Sequence, residues 1–207
     1  PTGAIDRRFC PKLDQLEVGV ISTIFVRPVK YTIPRFRNLP NRVTCKDEYG
    51  SIDIIFFNSR ESYIKQILPL NEEVVISGKV GFYKNKYQMT NPDYIQSIDK
   101  EKDITKIMAK YSSVAGISPK TIQKIYKEEI EKLKDIGEWH SQDFLKKMDW
   151  PTWYDAIYNL HNPINVSDVN KESKFYQRLA FDEIFSNFLI FSEIIPKTLG
   201  ARYCQQL

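Results

Sequence analysis

The sequence predicts an α+β chain, in which a β-rich first half is followed by an all-helical second half. Runs of β-branched and aromatic residues, separated by turn residues, extend to about residue 97, and the charged run Asp99-Lys100-Glu101-Lys102-Asp103 follows. Beyond this run, capping residues and 3.6-residue periodicity are typical of helices. The length of 207 residues suits two small domains. We place them at residues 1–100 and 101–207.

Five strands and one short helix are predicted in the first domain. The strands cover residues 18–29, 42–47, 51–57, 74–82 and 87–90, and the helix covers residues 60–68. Turn residues at 48–50 and 83–86 join neighbouring strands into hairpins. A helix between the third and fourth strands, with Gly78 and Gly81 as bulge or bend positions in the fourth, indicates a five-stranded OB-fold barrel.

Four helices are predicted in the second domain. Ser118 and Pro119 supply an N-cap and a first helical position, and this helix extends to about residue 134, before Gly137. Further helices are expected at 141–148, 152–160 and 172–195. The last has a broad apolar stripe. We expect this stripe to be exposed or to pair with a second copy of the chain in a weak homodimer.

Composition and motifs exclude several classes of function. No apolar run approaches the ~18 residues of a membrane span, and three widely spaced cysteines fit a reducing cytoplasm. The sequence has no GxxxxGK[ST] phosphate loop and no nucleophile motif. We interpret His140 as a surface or capping residue and His161 as a complement to a helix dipole, and neither indicates a zinc site. We predict no active site, metal or cofactor in this chain, and a cytoplasmic location.

Positive charge is concentrated in the first domain. Residues 1–97 contain fourteen lysines and arginines against ten acidic residues, whereas residues 98–207 contain sixteen of each. Residues 18–46 carry six basic residues and residues 74–92 carry three, with no acidic residue in either stretch. In an OB-fold these stretches include the loops that border the oligonucleotide-binding face. The pattern therefore predicts a polyanionic partner.

Aromatic residues near these cations are candidates for stacking on nucleobases. Strand alternation places Phe57 on the outer face of the barrel, where a ring can stack on a base for ~1–3 kcal/mol. Packing beneath the helical domain is the alternative for this ring. Tyr83 is a second candidate for stacking, and Phe36 is a candidate apolar wedge between two arginines. The predicted contacts to the nucleic-acid backbone are Arg27, Arg35, Arg37, Arg42, Lys46, Lys84 and Lys86.

Short motifs along the chain resemble one protein family. They are Ile5-Asp6-Arg7-Arg8, Phe56-Phe57-Asn58, Gly78-Lys79-Val80, Gln88-Met89, Asn91-Pro92-Asp93, Leu160-His161-Asn162-Pro163 and Arg178-Leu179-Ala180-Phe181-Asp182-Glu183. In order and spacing they resemble the wedge region of the RecG family, bacterial ATP-dependent DNA helicases that remodel stalled replication forks and branched junctions. The resemblance covers essentially the whole chain.

The resemblance implies a wedge module that binds branched DNA, such as replication forks and Holliday junctions. This module would separate strands in recombination and repair while a motor pulls the duplex. In the family, an aromatic residue of the Phe-Phe-Asn motif stacks on a junction base, and this role falls to Phe57. We include its motif neighbours Phe56 and Asn58 among the predicted DNA contacts. A second family aromatic has no secure match, and Tyr63 is a candidate for it. Because the helicase motifs are absent, we expect a fragment without ATPase activity, whose helices lead to the motor domains of a parent that uses ATP and Mg²⁺.

Two other functions remain open. A general OB-fold module for single-stranded DNA or RNA would bind a linear strand as well as it binds a fork. A scaffold domain with a basic face for an acidic protein would not bind branched DNA even at low salt. Backbone contacts recognise shape rather than base sequence, so DNA affinity is expected to fall steeply with salt.

Overall fold

The computed structural model describes residues 1–34, 39–112 and 116–203, with side chains described as far as residue 192. The chain divides into two compact units, one of Asp6–Ile107 and the other of Pro1–Ile5 with Met108–Leu207. The first unit is a β-barrel and the second is mainly helical. The prediction of an α+β fold is therefore confirmed.

The elements follow the predicted order, with three additional short strands. The strands are β1 (Gly3–Asp6), β2 (Ile21–Thr32), β3 (Asn41–Lys46), β4 (Ser51–Phe56), β5 (Val74–Tyr83), β6 (Lys86–Thr90), β7 (Tyr94–Ser97) and β8 (Ile107–Lys110). The α-helices are α1 (Glu61–Ile67), α2 (Glu101–Ile104), α3 (Pro119–Glu129), α4 (Gln142–Met148), α5 (Trp153–His161) and α6 (Lys174–Tyr203). The additional strands β1, β7 and β8 have four residues each, which is too short for an alternation pattern to stand out.

Five of the strands close into a barrel. Their order is β2-β3-β4-β6-β5, and β2 also pairs with β5. β4 and β6 run parallel, whereas the other barrel pairs are antiparallel. This is the five-stranded OB-fold, with α1 between its third and fourth strands, as the sequence predicts.

β2 pairs with two strands, β5 and β3, because it is long and contains a bulge. Residues 21–26 pair with β5 and residues 27–32 pair with β3. The register shifts between Pro28 and Lys30, so Val29 is the extra residue that bends the strand. Such an irregular position also tolerates proline, which has no N–H to donate to a ladder.

The barrel core is made by the inward-facing residues of each strand. Val43, Ile54, Ile76 and Met89 are fully buried, and Ile64 of α1 joins them. The helix therefore packs one apolar side on the core, as its spacing predicts. Burial of each such side chain contributes about 1.5–3 kcal/mol to folding.

Gly78 is needed for a close approach rather than for a bulge. The pairing of β5 with β2 continues through Gly78 without a register shift. A Cβ at this position would lie 3.1 Å from the Pro92 Cα and 3.2 Å from the Pro92 Cβ. The expectation of a bulge or bend is therefore wrong for Gly78: the missing side chain lets the segment after β6 pack against the strand.

The helical unit is built around a buried arginine. The Arg178 guanidinium is fully buried, donates to Glu138 Oε1 at 2.7 Å and pairs with Asp182 one turn later on α6. Glu138 also accepts from the backbone N–H groups of His140 (2.9 Å) and Trp153 (2.7 Å). Burial acts to raise the pKa of Glu138, but these hydrogen bonds and the charge of Arg178 outweigh it and lower the pKa.

Neither histidine has the role predicted from the sequence. His140 is mostly buried, and its Nε2 lies 3.0 Å from Asp182 Oδ1, so it belongs to the network around Arg178. Nδ1 of His161 lies 2.8 Å from the Tyr111 hydroxyl, and its ring stacks on Tyr126 with centroids 3.9 Å apart. Burial lowers the pKa of His161 to about 4, so the ring is neutral at pH 7 and does not complement the helix dipole.

The pH dependence of stability in the helical unit tests the burial of His161. The unfolded chain binds a proton on this ring near pH 6.5, whereas the folded chain does so only near pH 4. The contribution of the neutral ring to the free energy of unfolding is therefore fully present above pH 6.5 and is lost as the pH drops towards 4. We expect His161→Phe to flatten this slope. All three tryptophans (Trp139, Trp150 and Trp153) lie in this unit, so denaturant titrations followed by tryptophan fluorescence report its unfolding.

The matched control is Tyr126→Phe, which keeps the histidine and its stacking partner. It should keep the wild-type slope between pH 6.5 and 4. Equal slopes for wild type and His161→Phe would show that the ring is accessible to protons in the folded chain.

Candidate nucleic-acid interface

Phe57 is an exposed ring on a backbone that is held on both sides. It follows β4 directly, and its side chain is 48% exposed. Its N–H donates to Asn91 Oδ1 at 3.0 Å, and the Asn91 N–H donates to the Ile55 carbonyl at 2.8 Å. Asn41 Nδ2 donates to the Ser59 carbonyl at 2.8 Å. The turn that carries the ring is therefore fixed before a ligand arrives, which lowers the entropy cost of binding.

Asn58 makes this turn possible. Its φ is +59°, the left-handed conformation that asparagine adopts more readily than most residues. The chain bends there and leads into α1. Asn58 therefore has a structural role in the predicted site, since it aims the preceding ring outward.

Phe56 is not available for DNA contacts. Its side chain is 5% exposed and belongs to the barrel core. Phe56 is also the last paired residue of β4, opposite Asn41. The inclusion of Phe56 among the DNA contacts is therefore wrong, because its ring points into the core. Phe57 lies one residue beyond the ladder, at the end of the outer face rather than within it.

A buried arginine holds the segment that supports Phe57. Arg7 is 3% exposed, and its Nη2 donates to Asp93 Oδ2 at 2.7 Å. Its Nη1 donates to Ser77 Oγ at 2.9 Å, and its guanidinium lies 4.8 Å from the centroid of the Tyr94 ring. Asp93 is two residues from Asn91, so Arg7 anchors the residue that clamps Phe57. These residues lie in the resemblance motifs, but their spacing along the sequence does not indicate this supporting role.

The outer face of the barrel presents cations in register. Thr32, Arg42, Ile55 and Thr90 form one row across β2, β3, β4 and β6, and Lys30, Thr44, Asp53 and Gln88 form the next. Arg27 is opposite Lys46 at the far end of β3. We call these three rows the outer face.

Asp53 is a carboxylate of this face whose charge is paired with that of Arg42. It is 5% exposed, accepts from Thr44 Oγ1 at 2.8 Å and lies 3.4 Å from Arg42 Nη1. The pair fixes the guanidinium of Arg42, which has further N–H groups for a phosphate. Arg27 is less constrained, since it is largely exposed and lies 3.8 Å from Glu73. Lys30 and Lys46 are exposed.

The hairpin between β5 and β6 carries the second cluster of predicted contacts. Lys84 and Asn85 both have positive φ, +49° and +62°, as a two-residue hairpin turn of type I′ requires. Tyr83 is 56% exposed, pairs with Lys86 across the hairpin, and has the Lys84 ammonium 5.5 Å from its ring centroid. The exposure of Tyr83 agrees with its predicted availability for stacking.

The strand register places the two loop regions at opposite ends of the outer face. The end of β2 at Thr32 and the start of β3 at Asn41 lie at the Phe56 end of β4, because Asn41 is opposite Phe56. β6 runs parallel to β4, so Lys86 and the β5–β6 turn lie near the Ser51 end. Arg35, Phe36 and Arg37 fall outside the described residues. The candidate interface therefore spans the outer face between two loop regions.

Tyr63 is 53% exposed on α1, so its side chain is available as the second aromatic. Within the described residues, no three histidine, cysteine or acidic side chains form a group that could hold a metal ion. In the same part of the chain, no helix has the length and apolar character needed to cross a membrane.

Comparisons with known proteins agree with this fold. Residues 37–96 match the family model described as an OB-fold nucleic acid binding domain. The ATP-dependent DNA helicase RecG of Thermotoga maritima is 28% identical over 97% of this chain and 27% of its own length. RecG of Staphylococcus epidermidis is 26% identical over 83% of this chain and 24% of its own.

A solved structure of RecG bound to a three-way DNA junction is similar in three dimensions. It has 27% sequence identity, covers 95% of this chain and 27% of that chain, and gives a TM-score of 0.73. The chain thus spans about a quarter of the length of the relatives it matches. The predicted resemblance is confirmed over nearly the whole chain.

The hydrogen bond between the Phe57 N–H and Asn91 can be tested without DNA. Asn91 has φ +43°, so Asn91→Gly keeps an accessible backbone conformation and removes the side-chain acceptor of the Phe57 N–H. Loss of this hydrogen bond is worth about 1 kcal/mol. We expect hydrogen exchange of the Phe57 amide, measured by NMR, to accelerate roughly fivefold.

Asn85→Gly is the control, because it makes the same change at φ +62° in the β5–β6 turn. It should leave exchange at Phe57 unchanged. An unchanged rate in Asn91→Gly would mean that the turn is held without Asn91.

Proposed function

We propose that this chain, a relative of the RecG helicases over nearly its whole length, binds branched DNA and separates strands at the branch point. Replication forks and Holliday junctions are the proposed substrates, in recombination and repair. The observation that carries the proposal is the exposed ring of Phe57 on a fixed turn, at the end of a cationic barrel face. The similarity to a junction-bound RecG supports it.

Phe57 would act as a stacking platform and mechanical stop at the branch point. A base stacked on an aromatic side chain contributes ~1–3 kcal/mol, and the hydrogen bonds of Asn91 and Asn41 keep the ring in position. When the duplex moves against this ring, one base stacks on the protein instead of on its neighbour. Stacking on Phe57 thereby compensates for part of the stacking energy that the base loses when it leaves its neighbour in the duplex.

The cations of the outer face would hold the separated strand by its phosphates. Arg27, Arg42 and Lys46 lie on this face, and Lys84 and Lys86 lie at the β5–β6 hairpin. Arg35 and Arg37 of the preceding loop are proposed to add to them. Such contacts carry no base sequence information, which suits a protein that recognises the shape of a junction.

The remaining parts of the proposal concern a longer parent protein. Residues 1–100 would form the DNA-binding wedge domain, and residues 101–207 would link it to motor domains of the same chain. ATP and Mg²⁺ would be used by those motor domains, and this chain would be non-catalytic. The relatives are helicases about four times as long as this chain, and the proposed location is the cytoplasm.

General binding of single-stranded DNA or RNA is the second candidate function. The match of residues 37–96 to an OB-fold nucleic acid binding domain favours it. The two functions differ in the preferred ligand. A wedge binds a three-way fork more tightly than a linear strand of equal length, whereas a general module binds both alike.

Phe57→Ala tests the proposed wedge function. We expect it to weaken binding to a three-way fork about five- to hundredfold, the equivalent of one lost base stack, with an unchanged melting temperature. Binding is measured by fluorescence anisotropy at fixed salt, and folding by circular dichroism.

Phe9→Ala is the matched control, since it removes a phenylalanine of similar exposure (44%) from the same unit. It should bind the fork as wild type does. Parallel losses of melting temperature and binding in Phe57→Ala would instead make Phe57 a structural residue.

The exposed apolar segment of α6 at residues 184–191 is proposed to contact either the motor domains or a second copy of the chain. Within the described side chains, six large apolar residues of this helix are between 38% and 70% exposed: Ile184, Phe185, Phe188, Leu189, Ile190 and Phe191. An exposed apolar cluster of this kind marks an interaction surface. In the isolated chain the available partner is a second copy.

Sedimentation analysis tests this self-association. We expect the wild-type chain to dimerise weakly as its concentration rises, and Phe188→Glu to remain monomeric because a charge in the contact is costly. Asn187→Glu adds the same charge at the neighbouring exposed position and should retain more of the dimer. A wild-type chain that is monomeric at every concentration would contradict the homodimer.

A further inference from the structure

A groove lies at the end of the barrel opposite Phe57. It has a volume of about 410 Å³ and is lined in part by Lys12, Arg27, Lys46, Tyr49, Asn71 and Glu73. Phe57 follows the last residue of β4, whereas Tyr49 precedes its first residue. Five residue steps along β4 correspond to about 17 Å. The outer face lies between the groove and Phe57.

The turn that carries Tyr49 at this groove is held by hydrogen bonds, as is the turn that carries Phe57. Asp47 Oδ1 accepts from the N–H groups of Tyr49 at 2.7 Å and Gly50 at 2.8 Å, while its Oδ2 accepts from the Leu13 N–H at 3.0 Å. This carboxylate ties the β3–β4 turn to the chain that precedes β2. The Tyr49 side chain is nevertheless 54% exposed, so the fixed turn presents an open ring.

A cation accompanies the ring. The Lys12 ammonium lies 5.6 Å from the centroid of Tyr49, and the exposed side chain of Lys46 lines the same groove. A stacking platform beside cations is the combination that proteins use for single-stranded nucleic acid. Phe57 has the corresponding combination at the other end of the outer face.

The charge balance of the groove favours a base over a phosphate group. Arg27 faces Glu73 at 3.8 Å, Asp47 is engaged by three backbone N–H groups, and the exposed Glu48 also lines the groove. The walls thus offer both donors and acceptors rather than an excess of cations. The edge of a nucleobase also presents both. The adjacent outer face is better suited to binding phosphates, because Lys30 and Lys46 are exposed there.

We propose that this groove receives a base from a single-stranded arm of the bound nucleic acid, with Tyr49 as a second stacking platform. Lys12 and Lys46 would contact the neighbouring phosphates. The arm would run along the outer face from Phe57 to Tyr49, a span of roughly three to five nucleotides. This inference rests on the proposed binding of branched DNA, and it adds a second contact and a minimum arm length.

The test varies the length of the single-stranded arm of a fork. One fork carries an arm of about twelve nucleotides, which exceeds the span, and the other an arm of about one nucleotide, which falls short of it. We expect Tyr49→Ala to weaken binding of the long-arm fork roughly fivefold or more and to leave the short-arm fork unchanged. Tyr49→Phe, which keeps the stacking ring, should bind both forks as wild type does.

Phe57→Ala and Phe9→Ala are measured beside it, with melting temperatures for every variant. Phe57→Ala should weaken both forks and Phe9→Ala neither. If Tyr49→Ala has no effect, or the same effect on both forks, while Phe57→Ala weakens both, the groove proposal is overturned and the wedge function stands. If Phe57→Ala binds both forks normally while Tyr49→Ala loses the long arm, the wedge function fails and strand binding at the groove stands.

Discussion

The guanidinium of Arg7 is the buried cation on which the exposed end of the barrel depends. It binds Ser77 in β5 and Asp93 after β6, while the Arg7 carbonyl accepts from Thr23 Oγ1 in β2 at 2.7 Å. A buried charge without partners is costly, so these segments are stable only when they meet around it. Asn91 lies two residues before Asp93 and accepts from the Phe57 N–H. The position of the proposed stacking ring thus follows from an ion pair between the buried Arg7 and the half-exposed Asp93.

Exposure by itself does not make Phe57 a functional residue, because single apolar side chains are common on protein surfaces. What distinguishes Phe57 is the combination of a fixed turn and the cations of the adjoining outer face, of which Arg42 lies in the row nearest to it. Asp53 lies within this surface, buried and paired with Arg42, so this pair offers N–H donors rather than net positive charge, and the exposed Lys30 and Lys46 supply the attraction for phosphates. The β-ladder therefore arranges basic side chains that are distant in sequence into one surface, which is the physical basis of the proposed DNA binding.

The helical unit has its own buried ionic centre. Arg178, Glu138 and Asp182 are connected through charge-assisted hydrogen bonds, and the tilted rings of Phe144, Trp150 and Phe181 pack together in the same unit. Removing one member of a buried pair typically costs about 3–5 kcal/mol. Further along α6, the apolar residues from 184 to 191 occur on all sides of the helix. A helix that is apolar all round is typical of a buried position, which is consistent with a partner surface for this segment.

The sequence alone determined the fold class, because the features that define it are local. Alternating runs in β3 and β4, the Gly50 turn and the Ser118 cap each predict their element from a few neighbouring residues. The resemblance motifs likewise predicted that Phe57, rather than a residue of the helical half, would be the stacking ring.

Only the tertiary structure decided which residues support that ring and which do not contact DNA. Arg7 and Asp93 are 86 residues apart, and their ion pair depends on the barrel bringing them together. Phe56 points into the barrel core, and the register shows that Phe57 lies beyond the ladder rather than on the face. The neutral state of His161 and the groove beside Tyr49 also depend on contacts between residues that are distant in the sequence. Burial and charge pairing depend on distances across the folded chain, and sequence spacing does not contain those distances.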